Sequence, residues 1–425
     1  MSKRIVAVSW TLPPIVLPRS IQISRLLVAL ERRGWSSTVL TAPVDSNDPT
    51  IPRDRILAAH YEGRYKQIEV EYREARAPSP FTKRLYRLLH GVKDVDDANW
   101  VERVSLAALR ELASREDVFI SFAQPWIDHA VGLKVKRSRP EQPWIAHFSD
   151  PWVDSLYYDA KDPSQAARLA IWREQERVVV ERADAVIFVT TETADLVMRK
   201  YPAGWQDKVH IVPHSFDRSL VDRVARSPAE GRGGRALRIV YTGNIYAGRR
   251  EPLPLFEALA ALDRSGALRG RIELSFHGHI PSTTIARAKE LGLSRFVTFH
   301  GPVTYIQSLA LMTEADALLL VDATAEVNVF LPSKIADYLM TNKPIIGLTP
   351  PRGATADVLR RIGHLSVDPA DRAGIEAALM RLIETHEAGA GLSPINADAV
   401  RVFEVNQVAE KFEGVLNAAR ERAQS

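Results

Sequence analysis

Residues Phe330 to Ile346 read FLPSKIADYLMTNKPII, and the reading of this stretch decides the fold. Pro332 suits a first helical turn, and Ser333 is placed to cap exposed backbone N–H groups. Ile335, Ala336, Leu339 and Met340 give one apolar face at helical spacing. Asn342-Lys343-Pro344 stops the helix, and Ile345-Ile346-Gly347-Leu348 reads as a short buried strand. The apolar run Asp316–Asp322 reads as another strand just before it. A strand, a loop and a helix start with lysine in its first turn make an anion site. Lys334 supplies a point charge for phosphate, and Asp337, one turn on, is spaced to accept from ribose hydroxyls. Taken alone, Ser333 also reads as a plain cap and Asp337 as a solvated first-turn carboxylate.

Outward from this stretch, the strand–helix rhythm runs in both directions. Upstream, Leu237–Thr242, Glu273–Phe276 and Val297–Gly301 read as strands, with helices over Glu251–Leu262 and Gln307–Thr313. Gly243 ends the first of these strands, where a glycine lets backbone approach a ligand. Arg249 and Arg250 follow at an expected helix start, where they oppose the helix dipole unless an anion is present. They read equally as two solvated arginines. Further upstream, Ser227–Arg235 (SPAEGRGGR) has glycine, proline and charge without periodicity, so it reads as a domain boundary.

The first half repeats the pattern. Arg4–Ser9 and Ser37–Thr41 read as strands flanking a helix over Arg19–Arg33, which predicts a doubly wound parallel sheet. Further strands are expected at Asp117–Ser121, Trp144–Phe148, Asp184–Thr190 and Val209–Pro213, with helices opening near Gln124, over Ala166–Ala183 and over Thr191–Lys200. No G-x-G-x-x-G follows the first strand, which argues against a nicotinamide or flavin fingerprint. Asp371–Ala388 and Ala397–Arg420 read as two closing helices.

Composition sets the bounds. A chain of 425 residues is comfortable for two domains. Apolar residues at 46% and charged residues at 25% are ordinary globular values. There are no cysteines, which excludes disulfides, thiolate metal sites and cysteine nucleophiles. That fits a reducing cytoplasm. A basic start is followed only by a short apolar run ending in Pro13-Pro14, a first strand rather than a signal peptide. No run of about 18 apolar residues occurs, so no spanning helix is expected. A net charge of +4 is too weak to imply nucleic acid. Two basic features, the amphipathic Pro80–Lys93 segment and the cluster Lys134, Lys136, Arg137, Arg139, would suit peripheral contact with an anionic membrane. An ordinary core-facing helix is the commoner explanation of such a segment.

The pattern P-S-K-x-x-D-Y-L followed by N-K-P-I-I resembles the donor-binding segment of group 1, family-four-type retaining glycosyltransferases of GT-B architecture. The order of motifs through the second half resembles that family over nearly its whole length, and Val209–Asp217 (VHIVPHSFD) resembles its hinge strand. The resemblance implies two facing Rossmann-like, doubly wound parallel α/β domains. Residues 1–217 would form the acceptor side, 218–235 a linker, 236–396 the nucleotide-sugar domain, and 397–425 a helix crossing back. It implies that Gly243, Arg249, Arg250, Ser333 and Lys334 hold the donor diphosphate and that Asp337 holds the ribose. Glu326, Asn328 and Leu331 would lie near the donor sugar. The family's first glutamate falls at Val329 here, and its glycine loop after the first strand is replaced by Pro13-Pro14. The run H-F-S-D-P-W resembles the R-D-P-W segment of a bacterial branch, which implies a catalytic role for Asp150, with Ser149 at the usual histidine position and His129 as another candidate. Asp150 alone also reads as a cap before Pro151, and His129 as a structural histidine.

The function so implied is transfer of a sugar from a nucleotide diphosphate donor to a glycan or lipid-linked acceptor. It belongs with surface polysaccharide or glycolipid synthesis, with no metal or other cofactor: the only D-x-D-like run, Asp94-x-Asp96-Asp97, sits in an irregular stretch. Two other readings share the pattern. One is a non-hydrolysing nucleotide-sugar epimerase, and the other is a catalytically silent sugar-nucleotide-binding protein.

Overall fold

Runs of aliphatic and β-branched residues form the strands, and their near-continuous apolarity marks sheets covered on both faces. The computed structural model describes residues 3–71, 95–156, 158–159, 161–221, 235–323, 325–389 and 395–424. The expected amphipathic segment Pro80–Lys93, Asp94, and residues 222–234 of the expected linker lie outside the described residues. Contacts divide the chain into two units, Met1–His214 with Val405–Ser425, and Ser215–Glu404.

The first unit holds β1 (Arg4–Val8), β2 (Ser36–Thr41), β3 (Lys66–Glu69), β4 (Val118–Ala123), β5 (Trp144–Phe148), β6 (Ala185–Phe188) and β7 (Val209–Ile211). They form one parallel sheet in the order β3-β2-β1-β4-β5-β6-β7. The chain leaves β1 in one direction and returns to begin the other at β4. The topological switch point therefore lies between the carboxyl ends of β1 and β4, where α/β sheets open a ligand crevice.

The second unit repeats the arrangement. Strands β8 (Leu237–Thr242), β9 (Ile272–His277), β10 (Val297–His300), β11 (Ala317–Val321), β13 (Ile345–Leu348) and β15 (Leu365–Val367) form a parallel sheet in the order β10-β9-β8-β11-β13-β15. A separate parallel pair joins β12 (Val327–Asn328) to β14 (Arg352–Gly353). The switch point here lies between β8 and β11. The fold is mixed α/β with two doubly wound parallel sheets, as the sequence pattern predicts.

Three local expectations need correction. The closing helix is two helices, Ala397–Arg401 and Val405–Gln424. It breaks because Phe403 turns its carbonyl to accept from Phe216 N at 2.9 Å, and Glu404 bridges to Phe216. The helix after β8 starts at Leu253 rather than Glu251, with Pro252 as its N-cap residue. The basic cluster on the Ile127–Ser138 helix is largely engaged internally. Lys134 pairs with Glu102, Lys136 holds Asp184 at 2.6 Å, and Arg139 donates to the carbonyls of Leu112 and Leu109. Two elements were also legible but unread: the amphipathic helix Ala354–Ile362 and the short strand β15 after it. Among the described residues, no helix is long and apolar enough to cross a membrane.

The last helix is part of the first unit's core. Val408, Phe412, Val415 and Leu416 are buried with Leu26, Leu27 and Leu30 of the Pro18–Arg32 helix. A fully buried side chain of this kind stabilises by ~1.5–3 kcal/mol. Glu413 fixes the register: it accepts from Lys3 Nζ at 2.8 Å, Arg33 Nε at 2.8 Å and Trp35 Nε1 at 2.9 Å. These donors lower its pKa from 4.5 to about 2, with the Lys3 hydrogen bond the largest cause. A depressed carboxyl pKa adds stability above the unfolded value and loses it as pH falls towards the folded one. Urea unfolding should therefore show Glu413→Gln destabilised at pH 7 and lacking part of the wild-type loss between pH 4.5 and 2. An unchanged urea midpoint at pH 7 would contradict this anchoring role.

Candidate functional sites at two switch points

In the second unit, the close packing of two turns comes first. Gly243, at the end of β8, has φ +121°, and Gly278, at the end of β9, has φ +147°. A Cβ on Gly278 would lie 2.1 Å from the Gly243 carbonyl oxygen, and one on Gly243 would lie 2.8 Å from Lys334 Nζ. Conformation favours glycine at both positions, and at Gly278 the backbone packed against it also leaves no space for a side chain. The gap left at Gly243 is where the lysine head sits.

Lys334 opens the helix Lys334–Thr341. Its ammonium donates to the Thr242 carbonyl at 2.8 Å and stands 4.0 Å from the centroid of the Tyr241 ring. Burial first and the Arg250 charge next lower its pKa to about 7, against the opposing pull of Asp322 and Asp337. Arg250 closes the Tyr246–Arg250 turn, its N–H donating to the Tyr246 carbonyl at 2.9 Å. Arg249, exposed in the same turn, does not flank a helix start as expected. Asp322 ends β11 on the other side of the switch point. It is 3% exposed, and burial pushes its pKa up to about 6. Sequence reading passed over Asp322, although a carboxylate ending an all-apolar strand was a usable signal.

Ser333 does not act as the expected side-chain cap. Its backbone is already helical (φ −57°, ψ −26°), and its side chain makes no cap hydrogen bond. The first turn is closed instead by Ile335 N to the Pro332 carbonyl and Ala336 N to the Ser333 carbonyl. The Ser333 side chain thus leaves the first-turn N–H groups uncapped by it, and a helix N-terminus suits an anion. Asp337 lies one turn on, 8% exposed, and accepts from the Tyr305 hydroxyl at 2.8 Å. The expected donor-sugar residues are more dispersed. Glu326 points to solvent and pairs with Arg352 at 2.6 Å, Asn328 is buried and accepts from Phe330 N at 3.0 Å, and Leu331 is buried.

In the first unit, the loop after β5 carries Ser149 and Asp150. Arg19, from the helix after β1, donates to Ser149 Oγ at 2.5 Å. The Ser149 hydroxyl lies 3.2 Å from Asp150 Oδ2, to which Gln124 Nε2 also donates at 3.4 Å. Burial lowers the Arg19 pKa to about 10, and Asp150 and Asp128 oppose that shift. Asp128, unread in the sequence, is fully buried at the switch point. It accepts from Trp10 N at 2.9 Å, and burial pushes its pKa up to about 7. His129 is placed differently from a catalytic group. It is fully buried, with Nδ1 2.8 Å from Ser121 Oγ and its ring 4.5 Å from that of Phe148. Burial lowers its pKa to about 3, so it is a neutral core ring. His147 and His214 are also held neutral, by burial first and by Arg19 next.

Residues 20–214 match the model of the glycosyl transferase 4-like domain. The match spans just under half of the chain, and the solved structures similar to it share its fold, the GT-B arrangement of two parallel α/β units. Sucrose-phosphate synthase from Thermosynechococcus elongatus superposes with a TM-score of 0.66 at 16% identity, covering 98% of both chains. HepE from Anabaena in complex with UDP and glucose gives 0.63 at 13% identity, over 98% of this chain and 100% of that one. An enzyme described as a UDP-N-acetylglucosamine 2-epimerase from Listeria monocytogenes gives 0.59 at 11% identity, over 99% and 97%. No curated protein sequence matches the chain.

A pH dependence follows from the second-unit site. An anion at Lys334 favours the protonated amine, whose pKa in the free protein is about 7. Ionisation of Asp322 above about 6 adds repulsion in the same direction. Sulfate keeps a constant charge across this range, so its affinity should fall roughly tenfold from pH 6 to pH 8. Lys334→Met should flatten the profile. A flat wild-type profile by calorimetry would contradict the assignment.

Proposed function

We propose that this protein is a glycosyltransferase that retains anomeric configuration while moving a sugar from a nucleotide diphosphate donor to a glycan or lipid-linked acceptor, in surface polysaccharide or glycolipid synthesis. The observation that carries this reading is the convergence of Gly243, Arg250, Lys334 and Asp337 at one topological switch point. Each supplies what a nucleoside diphosphate needs. Gly243 allows backbone approach, Arg250 and Lys334 meet phosphate charge, and Asp337, steadied by Tyr305, accepts from ribose hydroxyls. The leaving diphosphate gains charge as the glycosidic bond breaks, and fixed cations with helix N–H groups stabilise that charge without a metal. Glu326 and Asn328 stand on the β12 segment that leads into this helix, which is the region assigned to the donor sugar.

On the first unit, Asp150 is the group assigned to the acceptor side. Its carboxylate is held between Gln124 and Ser149, and Arg19 steadies Ser149 from behind. In this reading Asp150 orients the acceptor hydroxyl and Ser149 positions Asp150. The protein works at the cytoplasmic side of a membrane, where lipid-linked acceptors are presented.

Incubation with UDP-, GDP- and ADP-linked hexoses should release one nucleoside diphosphate. NMR of the product should show the donor's anomeric configuration. Asp150→Asn should cut turnover ~100-fold, as for a misplaced reacting group, with nucleotide affinity unchanged. Conversion of the sugar while still nucleotide-linked would establish an epimerase instead. Binding without turnover of any donor would establish a silent binding protein.

A further inference from the structure

Glu176 is a carboxylate buried completely within the first unit. It stands on the helix Pro163–Arg182. A buried charge costs several kcal/mol in desolvation unless it is fully paired, and an apolar side chain would pack there without that cost. Its partners show where its interactions are directed. Glu176 Oε2 accepts from Val153 N at 3.1 Å, three residues beyond Asp150. Glu176 Oε1 accepts from Lys200 Nζ at 2.5 Å and from the Tyr201 hydroxyl at 2.6 Å. Lys200 also pairs with Asp154, the next residue of the same loop. One buried carboxylate thus joins the loop after β5 to its own helix and, through Lys200 and Tyr201, to the segment after the Thr191–Met198 helix. The loop's other side is held by packing, where Trp152 stacks on Trp126 at 5.1 Å with the ring planes 11° apart.

We infer that Glu176 is a positioning residue that sets the Ser149–Asp154 loop, and through it the Asp150 carboxylate, for the transfer reaction. The inference rests on the proposed role of Asp150. Val153 N occupies one Glu176 oxygen while Lys200 and Tyr201 occupy the other, so an amide, with one acceptor oxygen and an NH2 in place of the second, keeps the size and cannot hold both sides at once. The loop then samples other conformations, and Asp150 spends less time where Gln124 and Ser149 orient it.

The test has one arm that needs no substrate. Hydrogen exchange should rise at least ~tenfold at residues 152–155 in Glu176→Gln, with exchange in Trp144–Phe148 unchanged. Tyr201→Phe removes one donor but leaves the bond to Val153, so it should keep the loop protected. Unchanged loop exchange in Glu176→Gln, or a rise shared equally by β5, would overturn the inference. The second arm uses nucleoside diphosphate release from UDP-glucose. Glu176→Gln should lower kcat ~tenfold or more with UDP affinity unchanged, and should add nothing in the Asp150→Asn background. Additive losses would overturn it. If Asp150→Asn alone leaves turnover intact, the role of Asp150 fails first. If wild-type protein does not turn over UDP-glucose, the exchange arm decides.

Discussion

A lysine ammonium held against an aromatic face and a single backbone carbonyl is the interaction on which the second unit's site depends. Lys334 reaches Thr242 across the space that Gly243 leaves, and Gly243 is pressed in turn by Gly278. The arrangement is electrostatically incomplete. Arg250 repels Lys334, while burial disfavours charge on both Lys334 and Asp322. An added anion relieves the repulsion and restores the favourable state of the lysine. In the proposed function the site gains from an anionic ligand, and the free protein bears the cost of holding the groups ready.

The first unit solves a related problem with opposite signs. Its switch point gathers Asp128 and Asp150 around Arg19, with histidines kept neutral by burial. Such a surface offers acceptors and a donor without a net positive field, which suits hydroxyl groups better than phosphate. In the proposed function the two units divide the chemistry, the second taking the anion and the first orienting the hydroxyl. Each site lies where its own sheet changes direction, because parallel strands and their following helices leave an opening only there.

Much of this was legible in the sequence. Central strands such as Trp144–Phe148, Leu237–Thr242 and Ile345–Leu348 were readable to the residue, because two-sided burial writes an unbroken apolar run. The helix carrying Lys334 and Asp337 was readable from its face and its Asn-Lys-Pro stop. Ser333 was misread as a side-chain cap because helix entry here is set by the backbone of Pro332 and Ser333. The break at Phe403 was invisible because its cause, pairing with Phe216, is distant in the chain. Arg19, Asp128 and Asp322 went unread for the same reason, since each acquires meaning only from neighbours brought by the fold. His129 illustrates the converse. A histidine at a helix start reads as functional, yet its strand partners enclose it.

The central claim is that the second sheet's switch point binds a nucleoside diphosphate through Lys334. Calorimetric titration of UDP, GDP and ADP, with and without EDTA, into wild-type protein and Lys334→Ala tests it most directly. The account predicts EDTA-insensitive binding of one nucleotide, weakened by roughly 1.5–3 kcal/mol in the variant, as for a lost charged hydrogen bond. Binding of none of them, or equal affinity in the variant, would contradict it.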